Sequence, residues 1–160
     1  MSTPRPAGGS ATAASVIAGP VRIAYTVRAS DTTAAFLAAI LDRRLVGSRC
    51  PSCTQVHVPP RGVCPLCAVR TAEFVPVGPH GTVTTFSIVR IPFEGQRIEP
   101  PYACAHVLLD GADAPLLHIV GGCPVDAVHV GMRVEPVWSA EPEPSLASIR
   151  YYRPLVEAAP

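Results

Sequence analysis

Cys50-Pro51-Ser52-Cys53 and Cys64-Pro65-Leu66-Cys67 are two Cys-x-x-Cys turns separated by ten residues. Each turn aims both of its sulfurs the same way, and four thiolates at this spacing close around one tetrahedral zinc ion. A catalytic zinc keeps one position open for water or substrate. Four sulfurs leave none, so Cys50, Cys53, Cys64 and Cys67 predict a structural metal. A thioredoxin-like redox pair is the rival reading, but it needs one such motif in a βαβ setting, which the flanking sequence does not offer. Between the turns, Pro59 and Pro60 deny Thr54–Val63 a regular ladder, and a hairpin-like link is expected. A segment of about twenty residues, 48–71, cannot hold itself together by burial, so metal ligation would supply its fold. His57 is redundant as a ligand beside four thiols and is expected to be an exposed ring near the site.

Before the cysteines, residues 1–20 are small and unpatterned and predict a disordered tail. Val21, Ile23, Tyr25 and Val27 alternate with polar or small residues and read as a short extended segment. Ser30 or Asp31 can cap a helix running to about Arg44, with Phe36, Leu37, Ile40, Leu41 and Leu45 as its apolar stripe and Gly47 placed to stop it. Residues 21–47 thus form an extended segment and a docking helix, whose apolar face must be buried on the body of the protein or on another chain.

After the cysteines the pattern changes to short strands in residues 72–153: Glu73–Val77, Gly81–Ile91, Tyr102–Leu109, Leu116–Val120, Met132–Trp138 and Ile149–Arg153. Turn signals separate them, among them Gly78-Pro79, Glu94-Gly95, Asp110-Gly111 and Gly121-Gly122. The fold class is mainly β. Five or six short strands suit a small closed barrel, of which the OB-fold is one, and a small sandwich fits the periodicity nearly as well. Residues 154–160 read as a C-terminal tail.

Composition agrees with a folded chain rich in turns: 48% of residues are apolar, enough for a core, and the 19 prolines and 12 glycines favour short strands over long helices. No apolar run approaches the roughly 18 residues of a membrane helix. Around Ala11–Ala18 the chain is too rich in Gly, Pro and Ser for a convincing signal peptide, and the paired cysteines fit metal ligation in a reducing compartment, so a cytoplasmic protein is expected. Net charge is +1, but residues 1–71 carry +6 and residues 72–160 carry −5, with arginine as the sole source of fixed positive side-chain charge. Cys104 and Cys123 lie in apolar, strand-like surroundings and are read as small buried hydrophobes. Cys104 and His106 would share one face of a strand, yet the apolar setting argues against a reactive thiol.

Arg49-Cys50-Pro51-Ser52-Cys53, Pro59-Pro60-Arg61, Cys64-Pro65-Leu66-Cys67, Gly81-Thr82-Val83, Pro100-Pro101-Tyr102 and Gly131-Met132-Arg133-Val134 occur in an order that resembles the "domain of unknown function 35" family over residues 31–153. The resemblance implies one or two N-terminal helices, a rubredoxin-like zinc ribbon and an OB barrel. It also implies a non-catalytic auxiliary subunit that supports a thiolase-like or aldolase enzyme acting on acyl-CoA thioesters, in lipid or steroid side-chain degradation, as part of a hetero-oligomer. Partner or acyl-CoA contacts would then fall to Arg49, Arg61 and Arg70 around the ribbon and to Pro101 and Tyr102 at the end of the loop Ile91–Tyr102.

Zinc ribbons and OB-folds also bind single-stranded nucleic acid, the alternative from a different class. Such binding scales with the number of phosphates neutralised and uses aromatic platforms. A barrel segment at −5 with few aromatic residues supplies neither.

Overall fold

The computed structural model describes residues 26–96 and 98–155. The predicted tail 1–20 and most of the extended segment 21–27 lie outside the described residues. Among those described, one helix, α1 (Asp31–Leu41), precedes eight strands: β1 (Leu45–Arg49), β2 (Val56–His57), β3 (Glu73–Val77), β4 (Gly81–Val89), β5 (Tyr102–Leu109), β6 (Leu116–Val120), β7 (Arg133–Trp138) and β8 (Ile149–Pro154). No helix is long and apolar enough to cross a membrane.

Ser30 caps α1 as its sequence predicts, its hydroxyl accepting the Thr33 N–H at 3.3 Å. The helix ends at Leu41, earlier than expected, and Arg43 turns the chain with φ 55° into β1. Gly47 therefore does not stop the helix. It lies in mid-strand, where a Cβ would stand 2.5 Å from Val56 Cγ1, so glycine is needed for the close approach of β2. Phe36 and Ile40 are 2% and 0% exposed, and both join one continuous core with Leu45, Val56, Val77 and the barrel interior. The predicted docking helix thus buries its apolar face on its own chain. Arg43 adds polar anchorage, donating from Nη2 to the carbonyls of Ser139 at 3.3 Å and Ala140 at 3.1 Å.

Two sheets follow. The first has the order β2-β1-β3, all antiparallel. The second closes on itself in the order β4-β5-β6-β8-β7, with antiparallel pairings except between β6 and β8. This is the Greek-key closure of an OB-fold, so the barrel is realised and the sandwich is not. One strand changes sheets relative to the expectation: β3, counted from its position with the barrel strands, pairs with β1 through five residues from Leu45↔Val77 to Arg49↔Glu73. The first barrel strand therefore starts at Gly81.

Alternation along β5 sends Ala103, Ala105, Val107 and Leu109 inward. The small side chains of Ala103 and Ala105 leave room for two larger rings, Tyr152 and His118, which meet edge to face with centroids 5.5 Å apart. Tyr152 is fully buried and its hydroxyl has no hydrogen-bond partner among the described residues. Burial pushes its phenol well above the usual range. An unpaired buried hydroxyl costs about 1–3 kcal/mol, so Tyr152→Phe is expected to leave the fold intact and raise stability by about 1 kcal/mol in urea denaturation. A loss of stability would mean that the hydroxyl has a partner.

The two sheets are clipped together by backbone and side-chain bonds from the turn after β5. Asp113 accepts the Val56 N–H through Oδ2 at 2.8 Å and donates its own N–H to the Val56 carbonyl at 2.9 Å. Gly78 N–H donates to the Asp110 carbonyl at 2.8 Å. The Asp110 carboxylate in turn takes a two-pronged contact from Arg133, at 2.7 and 2.6 Å. Arg133 donates these hydrogen bonds and so holds the carboxyl below the usual carboxylate range. A group depressed in this way stabilises the fold above its unfolded pKa, and that contribution disappears as pH falls through the folded value. Because the pair is half exposed, the contribution is at most about 1 kcal/mol. Asp110→Asn is expected to lower stability near neutrality by up to that amount and to converge with the parent in acid, as read from melting temperature against pH.

Candidate metal centre

The four cysteine sulfurs lie within 4.8 Å of one another. Cys53 Sγ and Cys64 Sγ are 3.8 Å apart, the separation of about 3.8 Å that a tetrahedron with zinc–sulfur bonds of ~2.3 Å requires. The donor set therefore fits zinc.

The two turns are built alike although they share only Cys-Pro-x-Cys. Cys50 receives the Thr54 N–H at 3.0 Å and donates to Gln55 at 2.9 Å, and Cys64 receives the Ala68 N–H at 3.0 Å and donates to Val69 at 2.9 Å. Each turn closes on a left-handed residue, Thr54 with φ 63° and Ala68 with φ 55°. Side chains with a Cβ adopt that conformation at a cost of about 1–2 kcal/mol, which metal ligation can offset.

The thiols conflict electrostatically unless a cation joins them. The Cys53 N–H favours the Cys50 thiolate and, with the Ser52 N–H, outweighs burial to hold that thiol down to about 7. At Cys53 the Gln55 N–H also favours the thiolate, but burial and the three neighbouring sulfurs overcome it and push the thiol up to about 12. A divalent metal removes this conflict by neutralising the crowded negative charge.

Residues that carried no metal signal in the sequence complete the site. His57 is buried, 4% exposed, with Nε2 3.6 Å from Cys64 Sγ. It is not the exposed ring expected, because β2 pairs with β1 and turns it inward beside the sulfur. With a metal-bound thiolate there, Nε2–H would donate to sulfur and orient the ligand. Ser48 Oγ both receives the Arg61 N–H at 2.9 Å and donates to the Arg61 carbonyl at 3.1 Å, while Thr71 donates to that same carbonyl. These bonds satisfy the proline-rich link, which has almost no ladder of its own.

The other predicted residues fall into two separate groups. Arg49, Arg61 and Arg70 are on the ribbon, where Arg49 faces Glu73 at 3.6 Å and Arg61 is exposed. Pro101 and Tyr102 border a hollow on the barrel, and no described contact joins the two groups. Cys104 and Cys123 are half-buried, not fully interior: alternation puts Cys104 on the outer face of β5, and Cys123 packs against the core from the turn after β6. Cys104 and His106 share the outer face, but His106 Nδ1 bonds the Thr85 hydroxyl at 2.9 Å.

Fold and site together define a zinc-ribbon OB-fold protein. Residues 38–73 match the family described as "ChsH2, rubredoxin-like zinc ribbon domain" and residues 74–139 the one described as "ChsH2, C-terminal OB-fold domain". A DUF35 domain-containing scaffold protein of Methanocaldococcus jannaschii is 32% identical over 95 residues, covering 59% of this chain and 67% of that protein. Its counterpart in Pyrococcus furiosus is 33% identical over 94 residues, covering 59% and 68%. The chain belongs to the DUF35 family of scaffold proteins. A probable enoyl-CoA hydratase alpha subunit of Thermomonospora curvata is 31% identical over 121 residues, 75% of this chain but only 37% of that protein. Among solved structures, one described as an Ltp2-ChsH2(DUF35) aldolase superposes with a TM-score of 0.61 at 25% identity, covering 81% of this chain and 98% of that one. A DUF35 protein of unknown function from Sulfolobus solfataricus gives 0.59 at 20% identity, covering 78% and 84%, and shares the fold.

Proposed function

We propose that this chain is a non-catalytic auxiliary subunit, held by one structural zinc, that binds and supports a thiolase-like or aldolase enzyme acting on acyl-CoA thioesters. The observation that carries this reading is the likeness to a chain from an Ltp2-ChsH2(DUF35) aldolase over 98% of that chain's length. Two further features support it. Four thiolates close the metal's coordination sphere, which suits a platform and not a reaction centre. The relative described as an enoyl-CoA hydratase alpha subunit ties a similar sequence to acyl-CoA chemistry. Within this reading the partner is a separate chain, the assembly is hetero-oligomeric and cytoplasmic, and the acyl group belongs to a lipid or steroid side chain.

The test is co-expression with the thiolase-fold or aldolase-type enzymes of the native cell. Co-elution in size-exclusion chromatography is expected, with activity that depends on this chain. An enzyme that is fully active alone and elutes apart from this chain would overturn the proposal. The competing nucleic-acid role predicts tight binding to single-stranded DNA that weakens steeply with salt. The −5 charge of residues 72–160 predicts its absence.

A further inference from the structure

The outside of the barrel carries two adjoining hollows, of about 420 and about 450 Å³. Ile98, Ile119 and Arg150 border both. The larger one has a structural cause. β6 and β8 run parallel and meet in register only at Val120↔Tyr152. Before that point the strands separate, and the one-turn 3-10 helix Leu146–Ser148 borders the gap that remains.

This larger hollow is walled by Leu117, Ile119, Leu146 and Ile149, with Ile98 reaching over from the β4–β5 loop. Leu117, 57% exposed, is an apolar side chain left open to solvent at its edge. Both volumes fall in the range of about 300–1,000 Å³ typical of small-molecule sites, which pair apolar walls with a few polar groups.

The charge at the site is simple. Among the described residues Arg150 is the one charged residue bordering the larger hollow, and in the described ion pairs it has no carboxylate partner. Its guanidinium lies 5.8 Å from the Tyr151 ring centroid, and none of the described hydrogen bonds uses its donors. His118 adds no charge. Its Nδ1 accepts the Ile119 N–H at 2.9 Å, so the ring proton sits on Nε2, which faces the Leu146 carbonyl at 3.5 Å. Burial keeps this ring neutral. Glu99 borders only the smaller hollow, so among the described residues no carboxylate borders the larger one.

An apolar trough with a single unpaired cation selects a ligand that is apolar along its length and anionic at one end. We infer that the hollow over the β6–β8 seam binds an amphipathic anion, its alkyl chain along Leu117, Ile119 and Leu146 and its head group on Arg150. Binding is a property of the isolated chain and holds whether or not an enzyme partner is present.

Decanoate titrated into the intact, zinc-loaded chain is expected to bind saturably by calorimetry. It should shift the backbone NMR resonances of residues 117–119 and 146–150. Uncharged 1-decanol should bind about tenfold more weakly or worse, the loss of a charge-assisted contact. Arg150→Ala should weaken decanoate to a similar degree, Arg150→Lys should restore part of the affinity, and Leu117→Asp should abolish binding. Arg150 and Leu117 are exposed, so these variants should melt at the parent temperature. Coenzyme A alone should not bind. The inference fails if decanol matches decanoate, if Arg150→Ala leaves affinity unchanged, or if the shifts fall elsewhere or never saturate. It also fails if coenzyme A alone binds as tightly as decanoate, since phosphates and not the chain would then direct recognition.

Discussion

Cys64→Ser is expected to abolish zinc retention and to unfold the two cysteine turns, 50–54 and 64–68, while leaving the barrel folded. The cysteine turns are held by few bonds of their own, and their closing residues Thr54 and Ala68 sit in the costly left-handed region. A segment of that size buries too little apolar surface to persist alone, and in isolated zinc-finger peptides metal binding supplies about 10–16 kcal/mol of folding free energy. Cys64 is fully buried and faces His57, so a serine there weakens the metal and leaves the imidazole without its sulfur. The measurement is amide exchange joined to zinc analysis. Zinc should fall from one equivalent to none, and the Cys50 and Cys64 amides should lose protection. Val83, whose N–H bonds the Met132 carbonyl inside the barrel at 2.9 Å, should keep it. Parent protein stripped by a chelator should behave the same way. Unchanged protection of Cys50 and Cys64 after zinc is gone would show that metal does not hold the ribbon.

The second large effect lies in α1. Phe36→Ala is expected to destabilise the isolated chain by about 3–5 kcal/mol, a large part of the roughly 5–15 kcal/mol that such domains possess. The ring is buried in the core shared by ribbon and barrel, and its loss leaves a cavity among Ile40, Leu45 and their neighbours. Leu41→Ala, on the same helix but 43% exposed, should cost no more than about 1 kcal/mol. Urea denaturation of the two variants separates the possibilities. If the helix were anchored by a partner, both substitutions would leave the isolated chain's midpoint nearly unchanged.

Much of this architecture was legible in the sequence. The metal cluster followed from spacing, since two Cys-x-x-Cys turns bring their sulfurs together through local geometry alone. The start of α1 followed from Ser30, whose hydroxyl acts three residues away, and β5 and β6 began and ended where turn residues placed them. Each of these depends on residues close to one another along the chain.

What the sequence left open depends on neighbours that are distant along the chain. β3 has the same local pattern as a barrel strand, and only its register against β1 assigns it to the ribbon sheet. Gly47 has the identity of a helix stop, yet its need for glycine comes from Val56, nine positions away on another strand. His57 reads as a polar loop residue until the β1–β2 pairing turns it toward Cys64. Arg150 is one arginine among thirteen, and its place in an apolar trough comes from two parallel strands that stay apart until they meet at a single pair. By itself the sequence determined the metal clip, the strand-rich class and the start of the helix, because spacing, periodicity and capping act within a few residues. The tertiary structure alone decided which sheet each strand joins, what the helix packs against and where the outer surface opens, because pairing register and burial are set by contacts across the whole fold.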